Sequence, residues 1–318
     1  MNELVGELLF LQVGLPLAVI AMNTFVPSST KTALFLRSAA ILLLLMYLVL
    51  VGVWLFPPWW TPYLLMAVHA VGVVYAYQSL ERKNEGTRRI VKRTEVLVST
   101  LAIAAICTFL WPAIQGRSPP SPLIDLSMPL GPGNFLVTSG GNSKTINAHF
   151  LTLTRDTELA RSLRGQSYAV DIVGLDRFGR TAEGISPVAP QRHVIYGTEV
   201  KAPCSGSVAL TRSGVPDMPV PKMDRDNMTG NSVLLACGDF YVLLAHLAPR
   251  SLTVTEGDSV TVGQTLGRVG NSGNTAAPHL HIHVQREMPA KNPLSGTPLF
   301  FTIEGRFLVR NDRFAVER

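Results

Sequence analysis

The segment Pro278-His279-Leu280-His281-Ile282-His283 holds the densest chemistry in the chain. Read as a β-strand, its period of two puts His279, His281 and His283 on one face and Leu280 and Ile282 on the other. Three imidazoles backed by an apolar face can meet a metal on one side and close a core on the other. Imidazole is a good zinc ligand, and adjacent strands supply the rigid, convergent donors that a metal site needs. The competing reading of a His-x-His pair is an ordinary polar strand face, so the surrounding sequence has to separate the two.

That surrounding sequence is strand-like. Short β-forming runs at 134–138, 167–173, 199–202, 207–211, 232–236, 241–246 and 279–285 are mostly bounded by Gly, Pro, Asn or Asp, a spacing that predicts an antiparallel all-β domain. Helical periodicity is weak here, and 155–164 (Arg155, Leu159, Arg164) is the one stretch that predicts a short helix.

Before Pro119 the sequence is of another kind. The 318 residues are 47% hydrophobic with positive mean hydropathy, and the apolar excess sits in four stretches at about 4–26, 36–56, 62–78 and 95–114. Each is near the roughly twenty residues that cross a hydrocarbon core of about 30 Å, which predicts a four-helix transmembrane region over 1–114. The first stretch lacks the basic flank and small-residue cleavage site of a removed signal, and three further spans follow it. A proline-rich linker is expected over 115–132 (Pro119, Pro120, Pro122, Pro129, Pro132) and an extracytoplasmic domain over 127–310.

The net charge of +6 is weak support for nucleic-acid binding, because six basic residues, Arg82, Lys83, Arg88, Arg89, Lys92 and Arg93, lie together between the third and fourth spans. Such clustering marks a cytoplasmic loop, with anionic lipid or partner contacts as the alternative. Lys31 and Arg37 flank the first connection, and the second (Pro57-Pro58-Trp59-Trp60-Thr61) is uncharged, so both termini are expected outside. Trp59, Trp60 and Trp111 suit the membrane interface. His69 is expected to make a hydrogen bond within the bundle. The only ionisable groups in the spans are Glu7, Arg37, His69 and Glu95, all but His69 near span ends where snorkelling or interface placement is expected, so the helices read as an anchor and not as a transporter or sensor. Of the three cysteines, Cys107 is in an apolar run, whereas Cys204 and Cys237 form either one disulfide, in an oxidising compartment, or two buried thiols.

The run Gly263-Gln264-Thr265-Leu266-Gly267-Arg268-Val269-Gly270-Asn271-Ser272-Gly273-Asn274, followed by Pro278-His279-Leu280-His281, resembles the Gly-rich hairpin and His-x-His segment of lysostaphin/LytM-type metallopeptidases, peptidase family M23. Tyr168-Ala169-Val170-Asp171, Gly197-Thr198-Glu199-Val200-Lys201-Ala202-Pro203, Gly206-Ser207-Val208, Gly230-Asn231-Ser232-Val233 and Ala245-His246-Leu247 continue the resemblance in order over about 127–300.

The resemblance implies a lysostaphin/LytM-like antiparallel sheet and a zinc ion held by His281, Asp171 and a further histidine, with His246 and His279 as catalytic residues. Many relatives place that further histidine where this chain has Ser167. A subgroup with a Gln-x-Tyr-Ala-x-Asp pattern takes it from an Asn-x-His segment, which here is Asn147-Ala148-His149, and His193 is the rival candidate. His283, where relatives often carry an acidic or polar residue, is expected at the surface or in packing, with a place beside the site, orienting a ligand through its other ring nitrogen, as the alternative its face parity allows. The implied activity is a membrane-anchored zinc metalloendopeptidase acting on peptidoglycan peptides from the outer side of a bacterial inner membrane. The alternative is an inactive module that activates other cell-wall hydrolases.

Overall fold

The computed structural model describes residues 3–81, 89–288 and 292–317. The chain divides into two compact units, Met1–Ile114 and Gln115–Arg318.

In the first unit, α1 (Glu3–Leu9) runs through a π-type turn at Phe10–Gly14 into α2 (Leu15–Phe25), followed by α3 (Lys31–Val51), α4 (Thr61–Glu81) and α5 (Arg89–Gln115). Four stretches, Val5–Phe25, Lys31–Val51, Thr61–Leu80 and Ile90–Gln115, are long and apolar enough to cross a bilayer. The second begins earlier than the expected 36 because the Thr30 hydroxyl accepts from Ala33 N–H at 3.0 Å and caps the helix. It also stops at Val51, short of the expected 56, ahead of the prolines at 57 and 58. Of the basic cluster, Lys92 and Arg93 lie on α5, and Arg82, Lys83 and Arg88 lie outside the described residues.

Two of the ionisable side chains in these apolar helices find polar partners on neighbouring helices. His69 Nε2 lies 3.1 Å from the Ser38 carbonyl, the expected contact within the bundle. Arg37 does not reach outward from a span end. It donates to Asn23 Oδ1 at 2.8 Å and to the Val26 carbonyl at 2.7 Å, and it lies 3.5 Å from Glu95.

The second unit contains β1 (Ile124–Leu126), β2 (Gly133–Ser139), β3 (Val170–Leu175), β4 (Glu199–Lys201), β5 (Gly206–Arg212), β6 (Asn231–Cys237), β7 (Phe240–Leu247), β8 (Ser259–Val260), β9 (Thr265–Arg268), β10 (Leu280–Gln285), β11 (Pro298–Leu299), β12 (Phe301–Ile303) and β13 (Arg313–Val316). The main sheet runs β13-β2-β3-β10-β7-β6-β5-β8, with β11 against β10, while β4–β9 and β1–β12 form separate pairs. Its ladders are antiparallel. Each expected strand run coincides with an observed strand. β3 starts late, at Val170, because Arg164–Gln166 forms a 3-10 turn ahead of it. The expected helix over 155–164 shortens to Glu158–Ser162, where Thr157 accepts from Ala160 N–H as its N-cap.

Alternation divides β10 and its neighbours into two faces. Leu280 and Ile282 pair with Ile172 and Val170 on β3, Ile282 and Val284 pair with Leu244 and Val242 on β7, and all seven lie in the main core. His281 and His283 point to the other face, opposite Asp171, Ala245 and Leu243. Each fully buried Leu, Ile or Val contributes about 1.5–3 kcal/mol, so the core face is what fixes the register and thereby delivers the histidines to the opposite face.

The stretch read as a linker is folded into this unit. Residues 124–126 form β1, parallel to β12 in register Ile124↔Phe301 to Leu126↔Ile303, and Leu126 and Leu130 are buried. Proline forbids helix but tolerates an edge strand, and the apolar alternation at Ile124 and Leu126 supplies a face to bury. Cys204 and Cys237 form a disulfide with Cα atoms 6.1 Å apart, within the usual span for such a bond.

Candidate metal centre

Asp171 and His281 face each other directly across the β3–β10 ladder. His281 Nδ1 lies 3.0 Å from Asp171 Oδ1, and the other carboxylate oxygen lies 2.8 Å from His149 Nε2. His149 comes from a 3-10 turn, Ala148–Phe150, capped by the Asn147 side chain. Asn147 is fully buried and uses its whole amide: Oδ1 accepts from His149 N–H (3.0 Å) and Ser139 Oγ (3.1 Å), and Nδ2 donates to the Gly141 (3.0 Å) and Ala169 (3.1 Å) carbonyls. A second brace comes from Thr152, whose hydroxyl donates to the His149 carbonyl at 2.8 Å and lies 2.6 Å from Ser167 Oγ. Ser167, in the place where the resemblance offers a histidine, thus braces the turn that carries His149.

His246 reaches the same site by a backbone inversion. Strand parity would place it with Leu244 and Val242 in the core. Its φ of +63° turns the chain at the end of β7, and Leu247 takes the core position instead. Left-handed backbone is uncommon for a non-glycine residue, costs of order 1–3 kcal/mol, and clusters at functional sites. The conformation is pinned from both sides: His246 N–H donates to the Thr229 carbonyl, and Gly270 N–H donates to the His246 carbonyl, both at 3.0 Å. The His246 ring then sits with its centroid 4.9 Å from that of His279 and 5.8 Å from that of His281.

Both flanking rings are anchored through Nδ1, His246 on the Ser272 carbonyl at 2.9 Å and His279 on the Ala277 carbonyl at 2.9 Å. The carbonyls can only accept, so each Nδ1 carries the proton and each Nε2 presents a lone pair. Burial, reinforced by the His279 and His281 charges, holds the His246 ring well below the usual imidazole range. Burial also depresses His281, to about 4, against the opposing hydrogen bond and charge of Asp171. For Asp171 burial acts upward, but the His149 and His279 charges and the hydrogen bonds from His149 and His281 outweigh it, and the carboxyl is held well below its ordinary value.

All five site residues expected from the sequence are thereby brought together. They form two overlapping groups, His149-Asp171-His281 and His246-His279-His281, in each of which the donor atoms lie within 4.8 Å of one another. A tetrahedral ion with bonds of about 2.0–2.1 Å separates its ligand atoms by roughly 3.3 Å. The 2.8 and 3.0 Å contacts of Asp171 with His149 and His281 approach that spacing, so the mixed nitrogen and oxygen donor set fits a zinc-like ion. His193 stands apart from both groups, with Nδ1 3.3 Å from the Pro190 carbonyl.

Of the places open to His283, the surface is excluded. His283 is fully buried, and its Nδ1 lies 3.0 Å from His281 Nε2. Its even spacing from His281 signalled the shared face, but not that the face would be covered there. Thr152, Ser272 and Thr229, which brace the histidines, carried no signal in the sequence beyond being small polar residues in turns.

Residues 191–293 match the model of peptidase family M23. That span includes His246, His279 and His281, and excludes His149 and Asp171, which the fold supplies. The chain is 31% identical over 110 residues to the peptidoglycan DD-endopeptidase ShyC of Vibrio cholerae, the match covering 34% of this chain and 24% of that protein. It thus spans about a quarter of the relative's length. Among solved structures, the antimicrobial peptidase lysostaphin from Staphylococcus simulans is similar at 22% identity over 35% of this chain and 45% of that chain, with a TM-score of 0.21. A zinc-containing peptidase from Vibrio cholerae is similar at 19% identity over 36% of this chain and 46% of that chain, also with a TM-score of 0.21.

Proposed function

We propose that the chain, whose residues 191–293 match the model of peptidase family M23, is a membrane-anchored zinc metalloendopeptidase that hydrolyses peptide bonds in peptidoglycan cross-links or stem peptides. The observation that carries this reading is the convergence of two histidine groups on one shared residue, His281, beside a buried carboxylate. His149 Nε2, His281 Nδ1 and Asp171 would hold the metal, and His246 and His279 would flank it. When bound, zinc supplies Lewis acidity, polarising the scissile carbonyl and easing deprotonation of water.

The remaining chemistry belongs to the side chains. With Nδ1 fixed on a backbone carbonyl, His246 and His279 both turn an Nε2 lone pair toward the site, and one of them takes the proton of the attacking water. The imidazolium so formed is the acid that protonates the departing amine, so the proton is conserved and no covalent intermediate is required. The backbone inversion at His246 supports the same reading, since strain of that kind persists where function over-determines it.

The four apolar helices would act as a multi-pass anchor in the bacterial inner membrane. Large apolar side chains on them, among them Phe25, Phe35, Val71 and Ile90, are exposed, a surface suited to lipid. The basic cluster between the last two spans favours an orientation with the enzyme unit on the extracytoplasmic side, next to its substrate. Reporters fused after Arg89 and after Pro120 test this: the first is expected inside and the second outside.

The catalytic reading is tested by zinc content and peptidoglycan digestion. Wild type is expected to hold about one zinc per chain, as a single three-ligand site implies, and to cleave cross-links. His149→Ala and His281→Ala lose both properties, His246→Ala loses cleavage but keeps zinc, and His193→Ala keeps both. A wild-type protein that is metal-free and inert points instead to an activator of other hydrolases.

A further inference from the structure

His283 plays no part in the chemistry above, yet it is fully buried on the site face of β10. Its Nδ1 lies 3.0 Å from His281 Nε2, and its own Nε2 is buried without a close hydrogen bond, the Gln285 side chain and the Pro293 carbonyl being the polar groups beside the ring. As packing alone this is a poor choice. Leu243 stands opposite it on β7, and Leu234, Ala245 and Leu294 belong to the same small apolar cluster as Leu243. An aliphatic side chain would join them without leaving an imidazole nitrogen unpaired.

The geometry of His281 suggests what the imidazole does. One ring nitrogen, Nδ1, faces Asp171 and the proposed metal. To ligate, it must present a lone pair, so the ring's proton must sit on Nε2. That nitrogen is buried, and His283 Nδ1 is the acceptor within hydrogen-bond distance of it.

We propose that His283 is a positioning residue, which accepts the Nε2–H of His281 and thereby fixes the tautomer and ring orientation that present His281 Nδ1 to the metal. A ligating histidine that donates its other ring N–H to a fixed acceptor gains both orientation and basicity. Here a second imidazole, two residues along the same strand face, is that acceptor. Strand period and pairing hold the two rings in step, with centroids 5.3 Å apart and planes at 79°. This inference rests on the zinc reading given above.

The test uses the full chain in detergent, with zinc affinity measured by competition against a chromophoric chelator. His283→Leu, which fills the site without an acceptor, is expected to weaken zinc binding about 10–100-fold while leaving the unfolding midpoint of the metal-free protein no lower. His283→Gln, whose amide oxygen can accept the same proton, is expected to recover most of that loss. A Leu variant that binds zinc as tightly as wild type, or a Gln variant no better than Leu, overturns the proposal. Should the Leu variant fail to fold, nitrogen NMR of the zinc-loaded wild type decides: a coupling across the N–H···N bond between the two rings supports the role, and its absence refutes it. Wild type that takes up no zinc removes the metal reading and this inference together, whereas tight zinc binding unaffected by His283→Leu removes this inference alone.

Discussion

Reducing the Cys204–Cys237 bond is expected to destabilise the second unit by a predictable amount. The bridge closes a separation of 33 residues. The chain-entropy relation for a loop of that size gives about 3.7 kcal/mol at 25 °C. With a urea slope of about 2–3 kcal/mol/M, the unfolding midpoint should fall by about 1–2 M. The Gln115–Arg318 fragment is well suited to the measurement, because the four tryptophans of the chain all precede it and tyrosine emission reports its unfolding without interference. Urea titrations with and without reductant give the shift. A Cys204→Ala/Cys237→Ala variant should match the reduced protein to within about 1 kcal/mol, the difference reflecting lost packing of the buried Cys237 side chain. A midpoint that moves by less than about 0.3 M under reduction would refute the reasoning, because the loop-closure relation gives several times that shift. So would two reactive thiols in the unreduced protein. A bond contributing this much also ties folding to an oxidising compartment, as the proposed orientation requires.

Acidification should weaken the zinc-free fragment over a defined window. His281 titrates near 4 in the fold and near 6.5 when unfolded, so only the unfolded chain binds its proton in between. Stability is therefore full above about pH 6.5, declines as pH falls, and has lost its His281 contribution, about 3 kcal/mol, below about pH 4. Urea midpoints in chelator should slope across that window and slope less steeply in His281→Gln, where the buried His246 still contributes; equal slopes would sink the assignment. Asn147→Ala leaves the Gly141 and Ala169 carbonyls, the Ser139 hydroxyl and the His149 N–H without their partner, and should cost about 3 kcal/mol together with zinc affinity. A loss under about 1 kcal/mol would show that the turn carrying His149 is held by other means. Gly230 has a φ of +57° and lies against the Ser272 backbone, where a Cβ would clash. Gly230→Ala should therefore lower stability by about 2 kcal/mol or more and cripple cleavage by displacing the carbonyl that anchors His246; an active variant of normal stability would contradict this.

Much of the sheet was legible because its strands alternate cleanly: Leu280 and Ile282 between three histidines specify a face, and the face specifies a register. His279, His281 and Asp171 followed from that pattern joined to the family resemblance. His246 did not follow from pattern, since its parity with Leu244 points it into the core. The motif Ala-His-Leu identified it, and only the inverted backbone explains how it arrives. For His283 surface, packing and a place beside the site all stayed open, because alternation tells which side of a strand a residue takes, not what covers that side. Likewise the prolines between 119 and 132 argued correctly against helix, but a three-residue parallel pairing such as β1 with β12 depends on a segment some 177 residues away, as between Asp125 and Thr302, which no local reading contains. Arg37 was placed at a span end from spacing alone, and its pairing with Glu95 came from an interhelical contact that hydropathy does not encode.

The inversion at His246 bears on the order of events during maturation. β7 on its own would present a leucine where the site needs a histidine. The exchange requires Thr229 from the turn before β6 and Gly270 from the turn after β9 to clasp His246 from either side. Those contacts come from two other turns of the domain, so they require β6 and β9 to be in place. The assembled histidine and aspartate group is therefore a property of the finished sheet and not of any strand in it. A nascent or partly unfolded copy would hold His246 away from the other four site residues.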